Sequence, residues 1–178
     1  MSTAKNIIEA EMPLLRPIPF KDGEDHRHFK FEVDWYYGKL DQLPDFKELG
    51  LPGSTVVVKA GEVVNGASIP KVFSNIFAAT GILFIGACLH DTGYKYAGLF
   101  FVLIDGTEVF HAMSKSKLDD LFASVSQLHY PEHNAAIELA ERNLEWFGRG
   151  AWDDCRKKDG TYVKPPHPKG FDENFATE

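Results

Sequence analysis

The stretch GACLHDTGY brings together three side chains suited to acid–base or metal chemistry: His90, Asp91 and Tyr94. An imidazole exchanges protons near neutral pH, and a carboxylate can bind a hard cation or orient a histidine. On a helix, His90 and Tyr94 lie on nearly the same face, whereas Asp91 points about 100° away. We therefore predict that His90 and Asp91 do not pair, and that a general base at His90 needs another carboxylate.

That second carboxylate is expected in KLDDLF, where Asp119 and Asp120 follow one another. Adjacent helical residues point in different directions, so only one of the two can face the histidine. In the structural alternative, His90 and Asp91 end an apolar helix and satisfy backbone groups of the next loop. The spacing alone leaves both interpretations open.

The loop NGASIP, residues 65–70, precedes the histidine segment and offers Asn65, Gly66 and Ser68 as polar neighbours. Glycine, serine and proline commonly form turns and helix starts, so this loop can be purely structural. Its Ser68 suits a helix cap, and Pro70 suits the first turn of a helix. Its position ahead of the histidine helix makes it a candidate part of the site.

Strands are predicted on both sides of this loop. FKFEVDWYYG, residues 29–38, alternates apolar and polar side chains, which is typical of a half-buried strand. STVVVKAGEVV, residues 54–64, is rich in β-branched residues and turns at Ala60-Gly61. FFVLIDGTEVFHAM, residues 100–113, predicts a hairpin that turns at Asp105-Gly106.

Helices are predicted to carry the candidate residues. Residues 71–97 are expected to be mostly helical, with a break near Thr80-Gly81. SKSKLDDLFASVSQLH, residues 114–129, opens with serine caps and places apolar residues on one face. EHNAAIELAERNLEWFG, residues 132–148, has the same period and is predicted to stop at Gly148.

Together these elements predict one α+β domain, with a small antiparallel sheet packed on three or four helices. A chain of 178 residues is long enough for one hydrophobic core. We expect residues 1–28 to form an N-terminal arm, residues 29–150 to form the domain, and residues 151–178 to form a C-terminal tail.

The composition excludes some classes of protein. A net charge of −7 argues against a nucleic-acid binder, which needs a basic surface to neutralise phosphates. The two cysteines, Cys88 and Cys155, give neither a disulfide framework nor zinc-ligand spacing. We therefore expect a reducing compartment.

Two segments bear on membrane targeting. The N-terminus lacks a charged start followed by a sustained apolar core, so no signal peptide is predicted. Residues 72–89 carry no charge and approach the roughly 20 residues that a membrane helix needs. Polar and glycine residues interrupt this run, so we predict a buried helix or helix pair and no transmembrane anchor.

Four motifs in order carry a resemblance to a known family. They are VVVKAGEVVNGASIPKVF, GACLHDTGY, SKSKLDDLF and NLEWFGRGAW. Over residues 54–152 the chain resembles the phage and prophage family named domain of unknown function 1353. Its members pair a strand and a DGAS-x-P loop with an HD-x-x-Y helix and then with a D-x-x-F helix.

The HD-x-x-Y and D-x-x-F motifs are also similar to those of small secreted phospholipases of bacteria and fungi. This resemblance implies that His90 activates water, that Asp91 and Asn65 bind calcium, and that Asp119 orients the histidine with support from Tyr94. The phospholipase loop has an aspartate where this chain has Asn65, which removes one charge from the implied calcium site.

These resemblances imply a phage or prophage hydrolase that acts on an ester or amide of the cell envelope, with calcium as its cofactor. The alternative is a non-enzymatic structural protein associated with the virion or tail. The expected partners are an envelope substrate in the first case and virion or tail proteins in the second. In both cases we expect a soluble protein of the host cytoplasm or the virion.

Overall fold

A computed structural model describes residues 12–19, 28–43, 55–64, 83–158 and 161–163. The NGASIP loop and residues 71–82 of the predicted helical segment lie outside the described residues. The described residues include a large cluster of buried apolar side chains and the HD-x-x-Y and D-x-x-F motifs.

The described residues contain two antiparallel sheets of three and four strands. The first has the strand order β1 (Leu15–Ile18), β2 (His28–Phe31) and β5 (Val63–Val64). The second has the order β3 (Trp35–Tyr37), β4 (Thr55–Val58), β6 (Gly98–Val102) and β7 (Glu108–Ala112). A short pair, β8 (Lys157–Lys158) and β9 (Thr161–Tyr162), follows the last helix.

The single strand predicted over residues 29–38 is wrong, because the chain bends there and enters two sheets. Strand β2 pairs with β5, whereas β3 pairs with β4. At the bend, Asp34 accepts a hydrogen bond of 2.8 Å from the backbone N–H of Ala60 and one of 3.4 Å from Lys59. This carboxylate ties the bend to the β4–β5 turn, so a tertiary contact overrides the alternating pattern.

The hairpin predicted around Asp105-Gly106 is confirmed, with β6 and β7 as its arms. Gly106 has a φ of 81°, a conformation that favours glycine, and its N–H donates to the Leu103 carbonyl at 2.8 Å. Asp105 accepts a hydrogen bond of 2.9 Å from the N–H of Thr107. Strand β6 is buried along its whole length and leads directly from the histidine helix.

Three α-helices lie in the described part of the chain; the β6–β7 hairpin separates the first two, and a short 3₁₀ turn connects the second to the third. They are α1 (Phe84–Tyr96), α2 (Lys115–His129) and α3 (Asn134–Cys155). The predicted serine cap is present, because Ser114 Oγ accepts a hydrogen bond of 3.2 Å from the N–H of Lys117. Short 3₁₀ turns occur at Lys39–Gln42 and Pro131–His133. The described residues therefore form the predicted α+β domain.

Helix α1 is a central core element. Ten of its thirteen residues are buried, since the helix packs against strand β6 and against both other helices. This burial explains the described end of the uncharged run, residues 83–89, as part of the core, as predicted. In the described part of the chain, no helix combines the length and apolar character needed to cross a membrane.

Helices α1 and α2 approach closely because small residues of α1 face α2. A Cβ atom on Gly86 would lie 2.5 Å from Ser126 Oγ and 2.7 Å from the carbonyl oxygen of Phe122. A Cβ atom on Gly93 would collide with the side chain of Leu118. His90 lies between these two glycines, so the close packing brings its ring to the surface of α2.

The predicted stop of α3 at Gly148 is wrong, since the helix continues through residue 150 and ends at Cys155. Trp152 is 3% exposed and packs edge-on against Tyr94, with ring centroids 5.0 Å apart. Burial of this large side chain stabilises the added turns of the helix. Gly148 is buried where α3 approaches Tyr94 and Lys115, so it provides space for packing rather than a helix end.

We predict opposite stability effects for two glycine-to-alanine substitutions. Gly86→Ala should lower the free energy of unfolding by roughly 1–3 kcal/mol, because its methyl group meets rigid backbone at Phe122. Gly150→Ala should raise it by up to about 1 kcal/mol, because that methyl group enters open space and alanine favours the helix. Urea unfolding of both variants tests this; a neutral Gly86→Ala would contradict the close helix contact.

Candidate functional site

Side chains from α1 and α2 converge on the carboxylate of Asp119. Oδ1 of Asp119 lies 3.1 Å from His90 Nε2 and accepts a hydrogen bond of 2.6 Å from the Tyr94 hydroxyl. Its Oδ2 accepts a hydrogen bond of 2.6 Å from Lys115 Nζ. The predicted contact between His90 and Asp119 is therefore present, and Tyr94 takes part in it.

Helical spacing explains how this cluster forms. His90 and Tyr94 are four residues apart on α1, and their rings contact each other at a tilt of 37°, with centroids 3.9 Å apart. Lys115 and Asp119 are likewise four residues apart on α2 and meet one turn from each other. Each helix thus supplies two side chains on the face that meets the other.

The structure distinguishes between the two adjacent aspartates of KLDDLF. Asp119 is 2% exposed and faces α1, while Asp120 is half-buried and lines a cavity at the surface. A buried carboxylate is costly unless it is paired and hydrogen-bonded, and Asp119 has three donors. Asp119 is therefore the carboxylate that can orient the histidine.

Asp91 differs from its prediction in one respect. Its Oδ1 lies 3.9 Å from His90 Nδ1, which is within ion-pair distance although beyond a hydrogen bond. The prediction that these neighbours do not pair is therefore wrong. The helix backbone directs the two residues about 100° apart, but their side chains turn toward each other. The Asp91 side chain is 17% exposed, compared with 3% for Asp119.

The hydrogen bonds determine the charge of Asp119. Burial on its own would raise the pKa of Asp119, but hydrogen bonds from His90, Lys115 and Tyr94 outweigh burial and hold that pKa below its ordinary value of 3.8. An ionised carboxylate only accepts hydrogen bonds, so the nitrogen facing it, His90 Nε2, carries the proton. In the neutral ring, Nδ1 is then the nitrogen with the free lone pair.

The same contacts affect His90. Burial on its own would lower the pKa of His90, but the carboxylates of Asp119 and Asp91 outweigh burial and raise that pKa above 6.5. Burial and the adjacent Asp119 raise the pKa of Tyr94 above its ordinary value of 10.0, so its hydroxyl keeps its proton. The cluster therefore holds a carboxylate, a neutral phenol and a basic imidazole.

Sequence reasoning missed Lys115 and Gly148. Lys115 Nζ bridges Asp119 and the backbone carbonyl of Leu144 on α3, at 2.6 and 2.9 Å. A Cβ atom on Gly148 would lie only 3.1 Å from the Tyr94 hydroxyl. The four-residue spacing between Lys115 and Asp119 could have identified Lys115 as a partner of that carboxylate. The role of Gly148 depends on how α3 approaches Tyr94 and Lys115, which no local sequence pattern indicates.

A second buried carboxylate lies just before the NGASIP loop. Glu62 is 8% exposed, pairs with Lys95 and accepts a hydrogen bond of 2.7 Å from the Tyr96 hydroxyl. These contacts fix the β4–β5 turn to the last turn of α1. The predicted loop residues Asn65, Gly66 and Ser68 follow this anchor and lie outside the described residues.

The described residues do not by themselves make a calcium site. Calcium takes six to eight oxygen ligands, often from several carboxylates. Among residues 83–158 and the shorter described segments, no three His, Cys, Asp or Glu side chains are grouped so that they could hold a metal ion. Asp91 is the one predicted ligand that lies in the described part of the chain.

A cavity of about 390 Å³ opens beside the cluster, at the start of α2 and the second half of α3. Its walls include Lys115 and Asp119 from α2, and Glu145, Arg149 and Trp152 from α3. His90 does not line this cavity. The cavity therefore reaches Asp119 from the side opposite the histidine.

We predict that Asp119→Asn lowers the free energy of unfolding by roughly 3–5 kcal/mol at neutral pH, because it leaves buried charged partners unpaired. Since the pKa of Asp119 is depressed in the fold, its contribution is complete above pH 3.8 and is lost as pH falls through the folded value. The difference from wild type should therefore shrink below about pH 4. Urea unfolding between pH 7 and pH 3 measures it.

Asp120→Asn is the matched control, because the residue is adjacent and half-buried. It should change the free energy of unfolding by less than about 1 kcal/mol. Equal effects of the two substitutions would contradict the assignment of Asp119 as the centre of the cluster.

Comparisons with known proteins give one match. A family model described as "Protein of unknown function (DUF1353)" matches residues 44–138, a segment that contains His90, Asp91, Tyr94 and Asp119. No curated protein and no solved structure matches the chain. The match covers more than half of the 178 residues. The chain therefore belongs to the DUF1353 family, as its four ordered motifs predicted.

Proposed function

We propose that the protein is a hydrolase in which His90 acts as the general base toward water. The observation that supports this most strongly is the 3.1 Å contact between His90 Nε2 and a buried, ionised Asp119. A histidine oriented by a carboxylate is a common arrangement for proton transfer in hydrolysis. The two side chains come from the motifs that resemble those of secreted phospholipases.

The proposed reaction starts with His90 in its neutral form. Nδ1 takes a proton from water while the water oxygen attacks the substrate carbonyl carbon. The imidazolium that forms is stabilised by Asp119, which remains ionised. The intermediate then collapses, the carbonyl–heteroatom bond breaks, and the leaving group takes the proton from Nδ1. The base returns to its starting state.

Tyr94 supports this reaction without exchanging a proton. Its hydroxyl shares Asp119 Oδ1 with His90, so the oxygen that faces the imidazole has two donors. Its ring packs against the imidazole at a tilt of 37° and restricts rotation of the histidine. A base that is already oriented loses little entropy on reaching the transition state.

The proposed substrate is an ester or amide of the cell envelope, and the proposed cofactor is calcium held by Asp91 and Asn65. Calcium would supply electrostatic stabilisation of negative charge on the substrate oxygen. The proton transfer described above uses side chains of this chain, His90 and Asp119. We also propose that the protein comes from a phage or prophage.

We predict that His90→Ala lowers kcat for hydrolysis by about 10²- to 10⁴-fold, the usual contribution of a general base. The assay would use vesicles of phosphatidylethanolamine and phosphatidylglycerol and, separately, a p-nitrophenyl ester. If calcium is the cofactor, we expect the wild-type protein to hydrolyse these substrates faster with added calcium than with a chelator.

His133→Ala is the control, since that histidine lies on the surface with its side chain 40% exposed. It should hydrolyse the same substrates at the wild-type rate. Equal hydrolysis by wild type and His90→Ala would reject His90 as the base. Equal hydrolysis with calcium and with chelator would reject the cofactor alone.

A second candidate is a non-enzymatic virion or tail protein in which the cluster only stabilises the fold. The observation in its favour is burial, because His90 is 6% exposed and Asp119 is 2% exposed. A particle component should co-purify with virions at a fixed ratio and keep that ratio after His90→Ala. An enzyme should lose activity in the same variant.

A further inference from the structure

Lys115 holds Asp119 from the side opposite the histidine. Its ammonium lies 2.6 Å from Asp119 Oδ2 and 2.9 Å from the carbonyl oxygen of Leu144. Its side chain is 17% exposed, so much of it is shielded from water. The ammonium thereby joins the carboxylate on α2 to the backbone of α3.

The two oxygens of Asp119 have separate partners. Oδ1 faces His90 and Tyr94, whereas Oδ2 faces Lys115. Rotation of a carboxylate about its terminal bond is soft, so a carboxylate bonded through one oxygen can turn away from a fixed direction. A charged hydrogen bond to the second oxygen opposes that rotation.

We propose that Lys115 is a positioning residue of the His90 site, which holds Oδ2 of Asp119 so that Oδ1 stays directed at the imidazole. Lys115 acts through Asp119 and touches no reacting atom. Only its consequence for hydrolysis rests on the proposed function. The positioning itself is a property of the folded protein.

Gly148 provides the space that this arrangement needs on α3. A Cβ atom at this residue would lie 3.2 Å from Lys115 Nζ and 3.1 Å from the Tyr94 hydroxyl. Contacts this short require the neighbours to move by a few tenths of an ångström. Since Lys115 and Tyr94 both bind Asp119, a side chain at Gly148 would disturb the cluster from its α3 side.

The test follows the His90 Nε2 proton by NMR, because a buried imidazole proton bonded to a carboxylate exchanges slowly and resonates downfield. Loss of the signal in His90→Gln identifies it. In Lys115→Met, which keeps the chain length and removes the charge, we expect the signal to disappear or to exchange with water at least roughly tenfold faster. Thermal melting shows that the variant is folded.

Lys117→Met is the matched control. It removes the same charge from α2, and residue 117 is turned about 200° from residue 115 around the helix. Its His90 signal should match wild type. A folded Lys115→Met protein with an unchanged His90 signal would overturn the proposal, and so would equal loss of the signal in Lys117→Met.

A second pair of variants decides the question if Lys115→Met does not fold. Gly148→Ala should shift the His90 signal or speed its exchange, because the added methyl group displaces the ammonium. Gly150→Ala should leave it unchanged, because its methyl group meets nothing within 4 Å. An unchanged signal in Gly148→Ala would overturn the proposal.

Hydrolysis is measured on the same proteins to separate this proposal from the proposed function. If both hold, Lys115→Met lowers kcat and leaves KM near its wild-type value. If the signal is lost in Lys115→Met but wild type hydrolyses nothing, the positioning role stands and the proposed function fails. A lowered kcat with an unchanged His90 signal overturns the positioning role alone.

Discussion

The fold around the site depends on satisfying one buried carboxylate. Removing a charge from water is costly, so Asp119 can be buried only because His90, Tyr94 and Lys115 donate to it. These donors come from two helices, and Lys115 adds a contact with the backbone of the third. The requirement to satisfy this carboxylate therefore constrains where α1, α2 and α3 lie relative to one another.

The same constraint gives His90 properties that suit proton transfer. An ionised Asp119 assigns the proton to Nε2 and directs the lone pair of the neutral ring to the opposite nitrogen. A cluster serving stability alone would need the same donors, so the hydrogen bonds to Asp119 do not distinguish the two roles. The catalytic role differs from the structural role in one property: His90 Nδ1 takes a proton from water during a reaction.

Local patterns in the sequence predicted the parts of the site that lie along one helix or one turn. The four-residue spacing of His90 and Tyr94, the Asp-Gly hairpin turn and the Ser114 cap each depend on neighbouring residues. The bend at Asp34 depends on a hydrogen bond to Ala60 in a distant turn, and the alternating pattern continues through it. Glycine commonly ends a helix, but Gly148 lies inside α3 and provides the space that Tyr94 and Lys115 need.

The most direct test of the central claim is the pH dependence of kcat/KM for hydrolysis. A general base works only when it has lost its proton, so the rate must rise with pH through the pKa of His90. The carboxylates of Asp119 and Asp91 raise that pKa above 6.5, and the account therefore predicts an acidic limb with its midpoint above 6.5. A rate that is independent of pH from 5 to 8, or a midpoint well below 6.5, would contradict it.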